Sequence, residues 1–99
     1  MRPLTVKWNK RAINQLIKAI EYHEEDSVQH AEKIKNKILA AITTLATHPE
    51  KYPPDKYKLN NDSSFKAFEL YHYIISYRFW KNEIRIIRIR HTKRNLKKY

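Results

Sequence analysis

The sequence predicts an α+β fold of order β-αα-βββ, a helical hairpin packed on one face of a mostly antiparallel sheet. Two long segments repeat apolar residues at helical spacing. Three later segments are rich in aromatic and β-branched residues and are parted by short polar turns. A short junction between the helical segments implies an antiparallel helical hairpin.

The first strand rests on Leu4, Val6 and Trp8, which alternate with Thr5 and Lys7, the period-2 pattern of a half-buried strand. Asn9 follows as a helix N-cap. Ala12, Ile13, Leu16, Ile17 and Ile20 then give an amphipathic helix over about Lys10 to Glu24. The run Glu24-Glu25-Asp26-Ser27 supplies a turn and a second cap, with negative charge where the next helix dipole favours it. The second helix spans roughly Val28 to Thr47 with the stripe Ala31, Ile34, Ile38, Ala41, Ile42 and Leu45. His48-Pro49 ends it, because the residue before proline is pushed out of the α region.

Residues 49–64 are rich in Pro, Asn, Asp and Ser and read as a surface connection. Phe65 to Leu70, Tyr73 to Trp80 and Glu83 to Arg90 then read as strands. Lys81-Asn82 fits a two-residue hairpin loop. A second turn is placed near Tyr71-His72, although the chain has no glycine to ease it. In the last strand simple alternation sets Ile84 and Ile86 on one face with Arg88 and Arg90 beyond them. Ile87, Ile89 and His91 fall on the other. With 99 residues and neither a repeat nor a linker, the chain reads as one domain over 1–99.

The formal net charge of +11 is unevenly spread. Residues 65–99 hold ten Lys and Arg against two acids, whereas residues 1–64 hold eleven against eight. Five of the seven arginines lie in that C-terminal part, where bidentate contact with phosphate or carboxylate is the property that separates Arg from Lys. Such polarity suits a cationic face meeting nucleic acid or an acidic protein segment. The chain is too apolar for intrinsic disorder, with 41% hydrophobic residues. It has no cysteine, no apolar run long enough to span a membrane, and no signal-peptide pattern in Met1 to Trp8. A cytoplasmic location is expected, without contact with a membrane.

His91 is the one histidine set among cations, and the surrounding charge favours its neutral, proton-accepting form. A metal-independent ribonuclease needs a base for the 2′-hydroxyl, cations for the extra phosphate charge and an acid for the leaving oxygen. His91, Lys66, Arg88, Arg90, Tyr77 and Tyr99 supply those types. Equally, His91 at a strand end can simply bond backbone or water, and Tyr73 and Tyr77 at strand spacing can be core. Arg85, Arg88, Arg90, Lys93, Arg94, Lys97 and Lys98 form the candidate binding set, of which the last four read by default as a solvated tail. With no cysteine and no His-x₃-His pair, neither a metal nor another cofactor is expected.

With this order of elements and the strand end Ile87-Arg-Ile-Arg-His-Thr-Lys-Arg94, the chain resembles the RelE/ParE superfamily, the toxins of type II toxin–antitoxin modules, also called plasmid stabilisation proteins. The likeness runs from the strand Leu4–Trp8 through Leu45-Ala-Thr-His-Pro49 and Tyr73-Ile-Ile-Ser-Tyr77-Arg-Phe79 to His91-Thr-Lys-Arg94. It implies a bacterial growth inhibitor neutralised by a cognate antitoxin with an acidic, partly helical tail. One branch, ParE-like, poisons DNA gyrase by binding; the other, RelE-like, cuts mRNA on the ribosome. The two long helices resemble the ParE-like branch. In this resemblance Lys66 matches a basic residue usual on that strand and His91 the histidine at the last strand's end, and Tyr99 is a loose match to a tyrosine acid that some ribonuclease members place near the C-terminus. Ile74 stands where an arginine commonly follows the first tyrosine of the hairpin strand, and about Tyr71 the usual turn glycine is replaced. A third reading is a small basic nucleic-acid-binding protein without toxicity.

Overall fold

The computed structural model describes residues 3–94 and 96–99; Met1, Arg2 and Asn95, the last within the cationic run, lie outside it. The order of elements is the expected one: β1 (Thr5–Trp8), α1 (Lys10–Glu24), α2 (Val28–Leu45), β2 (Phe65–Leu70), β3 (Tyr73–Trp80) and β4 (Glu83–His91). The sheet order is β1-β4-β3-β2. β1 runs parallel to β4, and the other two pairings are antiparallel.

Local chemistry accounts for most boundaries. Ser27 caps α2 by accepting the His30 N–H at 3.1 Å. Asn9 holds the N-cap position of α1 without a side-chain cap; its Oδ1 instead accepts from Arg85 at 3.2 Å. That polar tie joins the start of α1 to β4. α2 ends at Leu45, two residues before the expected stop, as the Ala46 and Thr47 N–H groups turn back to Thr43 and Thr44 carbonyls. Both hairpin loops form without glycine: Lys81-Asn82 and Tyr71-His72 each place two successive residues at positive φ, the backbone a two-residue hairpin demands.

The core lies between the helical hairpin and one face of the sheet. Ala12, Leu16 and Ala19 of α1 and Ile34, Ile38, Ile42 and Leu45 of α2 pack on Phe68, Tyr73, Ile75, Tyr77, Ile84, Ile86 and Ile89. The buried stripe of α1 is narrower than its hydrophobic pattern implied. Ile13 and Ile17 remain 42% and 47% exposed, because α1 turns the row through Ala12, Leu16 and Ala19 inward. The connection 49–64 is less detached than expected. Asp55 N–H donates to Phe65 O at 2.8 Å and Ala67 N–H to Pro53 O at 3.2 Å, so residues 53–55 line the outer edge of β2.

β4 departs from simple alternation. Tyr77 pairs with Ile86 while its neighbour Ser76 pairs with Arg88, leaving Ile87 as an extra residue in a β-bulge. The bulge resets the faces. Ile84, Ile86, Ile89 and His91 share the helix-facing side with Phe79, Tyr77, Ile75 and Tyr73, whereas Arg85, Arg88 and Arg90 share the opposite side with Arg78, Ser76 and Ile74. The alternation predicted for β4, with Ile84 and Ile86 on the side of Arg88 and Arg90, is therefore corrected beyond Ile86. A guanidinium inside the apolar layer would incur a desolvation cost that nothing there offsets.

β4 also outlasts β1, which pairs only with Glu83–Ile86. Past that point the free edge of β4 is met by α1 and its lead-in: Asn9 N–H donates to Ile86 O at 2.9 Å, and the Gln15 Oε1 accepts the Ile89 N–H at 2.7 Å. At the far end of α1, His23 Nε2 lies 3.0 Å from the Tyr73 hydroxyl, tying the hairpin tip to β3. Burial, then the charge of His30, hold the His23 pKa below its ordinary 6.5, against an upward pull from Asp26.

Two outcomes follow from this packing. Deleting one isoleucine of the Ile86-Ile87 pair removes the bulge and leaves every later side chain on its present face. The variant should fold, losing about 1 kcal/mol for one partly buried side chain; chemical denaturation measures this, and loss of cooperative unfolding would refute the bulge. The depressed His23 pKa means that the unfolded chain binds its proton first as pH falls, so acid favours unfolding. The thermal midpoint should be flat above about pH 7 and fall as pH drops through the ordinary histidine range near 6.5. His23→Gln should flatten part of that slope, and an unchanged slope would exclude His23 as a contributor.

Candidate functional site

The bulge distributes the candidate residues over two faces of the sheet. His91, at the end of β4, packs on the helix-facing side with its ring edge-on to Tyr73 at 5.0 Å and 6.3 Å from the His72 ring. Its Nδ1 accepts the Lys93 N–H at 3.0 Å, which puts the proton of the neutral ring on Nε2. Burial is the first cause of its lowered pKa, followed by His72, Lys93, Arg94 and His23. The cationic surroundings read from the sequence are thus present, but second in weight.

Arg88 and Arg90 lie on the other face. Arg88 stacks on the Tyr99 ring at 4.4 Å; Arg90 lies 5.4 Å from both the Tyr57 and Tyr99 rings. Arg90 also donates to Lys97 O at 2.6 Å. Desolvation, with Arg11 and Arg90 nearby, lowers the Arg88 pKa. Tyr99 donates its hydroxyl to the buried carboxylate of Asp55 at 2.7 Å. Its pKa is raised well above the ordinary value by burial and by that bond. Arg85 is held by Asn9 and by Glu83 at 3.4 Å.

Tyr77 is fully buried, and its hydroxyl donates to Pro49 O at 2.8 Å. Burial pushes its pKa up to about 12, so this phenol anchors the end of the helical hairpin to the sheet. Lys66 pairs directly with Tyr77 on β2, and Tyr77 sits four residues along β3 from Tyr73, the partner of His91. At about 3.3 Å per residue this places Lys66 roughly 13 Å along the sheet from His91. Lys93, Arg94, Lys97 and Lys98 are exposed. None of the four forms an ion pair among the described residues.

The six residues predicted for ribonuclease chemistry, His91, Lys66, Arg88, Arg90, Tyr77 and Tyr99, are therefore not gathered around one point. His91 has Tyr73 and His72 as neighbours, while the arginines have Tyr57, Tyr99 and Asp55. Ile74 is paired with Arg90 across the strands, so a guanidinium stands beside the position where the resemblance expects an arginine, although it is already bound to Lys97 O. No group of three metal-ligating side chains occurs among the described residues, and no helix there is long and apolar enough to cross a membrane.

Sequence reasoning missed three residues that shape these surroundings. Gln15 and His23 meet partners 74 and 50 residues away, and no local pattern announces such meetings. Asp55 sits in a polar connection, where one acid looks like any other. The Ile86-Ile87 doublet was a usable signal, since two adjacent isoleucines in an alternating strand invite a bulge.

A family model described as the ParE toxin of the type II toxin–antitoxin system, parDE, matches residues 6–96. Among solved structures, a chain of the chromosomal ParDE toxin–antitoxin system from P. aeruginosa aligns with a TM-score of 0.72 at 16% identity, covering 91% of this chain and 97% of that one. A chain of the toxin–antitoxin complex RelBE2 from Mycobacterium tuberculosis aligns at 0.52 and 20% identity, covering 90% and 98%. No curated protein sequence matches. At these identities the structures speak for the fold, and the family match covers nearly the whole chain. This α+β chain belongs to the ParE toxin family of type II toxin–antitoxin systems.

Proposed function

We propose that the protein arrests bacterial growth by ParE-like poisoning of DNA gyrase, through binding and without hydrolysis, and that a cognate antitoxin neutralises it in the cytoplasm. The observation that carries this reading is the bulge at Ile87, which parts His91 from Arg88 and Arg90 by the thickness of the sheet. General acid–base cleavage needs its groups within about 3 Å of the reacting atoms, directly or through one water. The phenols offered as acids are engaged elsewhere, Tyr77 with Pro49 and Tyr99 with Asp55. The higher TM-score to the ParDE chain points the same way. The exposed Lys93, Arg94, Lys97 and Lys98 carry charge outward, where it steers an acidic antitoxin segment or DNA-bound gyrase toward this face. No cofactor enters this reading.

Expression without antitoxin should stop growth, induce the DNA-damage response and trap gyrase–DNA complexes while mRNA stays intact. Codon-phased cleavage of mRNA on ribosomes, abolished by His91→Ala, would replace this reading with the ribonuclease one. Normal growth at confirmed soluble expression would exclude both and leave a basic nucleic-acid-binding protein.

A further inference from the structure

The early end of β1 has a second consequence. Where β4 runs on beyond β1, paired with β3 only, a cavity of about 210 Å³ opens between it and α1. Gln15, Lys18 and Tyr22 wall it on the helix side, and Tyr73, His91 and Arg94 on the sheet side. Among the described residues no carboxylate lines it.

Apart from the hydroxyls of Tyr22 and Tyr73, which can donate or accept, the polar side chains of this cavity offer donors. The Gln15 Oε1 is taken by the Ile89 N–H, so its amide nitrogen is the end left free. The His91 Nδ1 is taken by the Lys93 N–H, so the neutral ring offers an Nε2–H. The Tyr73 hydroxyl is engaged with His23. Lys18 and Arg94 are exposed and have no carboxylate partner among the described residues. An excess of donors, beside two cations without a carboxylate partner among the described residues, selects an anion. Ala19, Ile89 and Leu96 add an apolar patch to the wall, with Arg90 beside them, and Tyr22, 58% exposed, offers a ring face of the kind on which bases stack. A carboxylate side chain would satisfy the cations and leave that ring unused.

We propose that this cavity binds one nucleoside monophosphate unit, with its phosphate on Lys18, Arg94 and the His91 Nε2–H and its base against Tyr22. The volume falls below the roughly 300 Å³ at which drug-sized pockets begin, which suits a single unit with part of the base in the open mouth. The unit comes either from a free nucleotide or from an unpaired nucleotide of a strand. This site does not depend on the gyrase reading, and purified protein alone tests it.

The experiment is a titration of the full chain with dAMP, followed by the NMR resonances of the His91 and tyrosine rings and by calorimetry. Parallel titrations use inorganic phosphate, deoxyadenosine, a short single-stranded oligodeoxynucleotide and a glutamate-rich peptide. Saturable shifts at His91 with dAMP are expected, with weaker binding of phosphate and none of deoxyadenosine. Joint Lys18→Gln and Arg94→Gln should weaken dAMP roughly tenfold, a loss of about 1.4 kcal/mol. Tyr22→Leu should weaken dAMP and leave phosphate affinity as it was. Lys33→Gln with Lys37→Gln, on the exposed side of α2, should change neither. Tighter binding of the oligonucleotide than of dAMP assigns the unit to a strand; equal or weaker binding assigns it to the free nucleotide. Three results would overturn the proposal: unmoved His91 resonances with dAMP, a Tyr22→Leu variant that binds dAMP as well as the parent, or displacement of dAMP by a tighter-binding acidic peptide. All the substituted side chains are exposed, and a retained thermal midpoint separates lost binding from lost folding.

Discussion

The extra residue in β4 is the constraint on which the rest of the structure depends. β4 is an inner strand, held by β1 on one side and β3 on the other, so one residue of slippage reverses every side chain beyond it. Ile84 and Ile86 must be buried for the helices to pack, and both are fully inaccessible. Uninterrupted alternation from them would carry Arg88 and Arg90 under α1. The bulge at Ile87 prevents this by placing two residues opposite Ser76. Ile89 then closes the apolar layer at 3% exposure, while the arginines reach the other face.

That other face is organised by charge and aromatic rings instead of by an apolar core. Asp55, 3% exposed, accepts both the Tyr57 N–H at 2.9 Å and the Tyr99 hydroxyl. Tyr57 and Tyr99 are also joined through their backbones, Tyr99 N–H to Tyr57 O at 2.9 Å, and their rings lie against Arg90 and, for Tyr99, Arg88. A partly buried arginine over a tyrosine face gains on the order of 1–2 kcal/mol. The same arginines that look from composition like anion binders thus fasten the 55–61 segment and the residues near Tyr99 to the sheet. Cationic charge in this chain has two employments, and the exposed Lys93, Arg94, Lys97 and Lys98 carry the outward-facing one.

The contrast explains what could be read in the sequence. Element order was legible because helical and strand periods differ sharply and because Ser27, Pro49 and Lys81-Asn82 punctuate them. The edges of the strands followed from the same runs. The faces of β4 were not legible, since Ile86-Ile87 satisfies either phase until a partner strand chooses between them. α1 is a milder case: Ile13 and Ile17 belong to the helical pattern but stay largely exposed, because only the packed sheet and α2 decide how wide a stripe is covered. Candidate chemistry suffered most. Residue types suited to phosphate chemistry were named on the strands, yet their grouping depends on which side of one strand each occupies, and Lys18 and Tyr22 on α1 were not among them.

The turn at Tyr71-His72 shows how local strain and long-range pairing meet at the same end of the sheet. Two non-glycine residues at φ 52° and 66° forgo roughly 1–2 kcal/mol each relative to ordinary backbone. Such a turn persists only where its surroundings over-determine it. Here the Thr92 N–H donates to His72 O at 2.7 Å, Tyr73 is clamped by His23 from α1, and Tyr73 pairs with His91 across the strands. These contacts come from α1 and from the end of β4, and together they hold the strand end that carries His91 against the tip of the helical hairpin. A rigid strand end is the requirement for aiming a side chain at a ligand, and the sequence meets it without a glycine because tertiary bonds, instead of backbone freedom, set the turn.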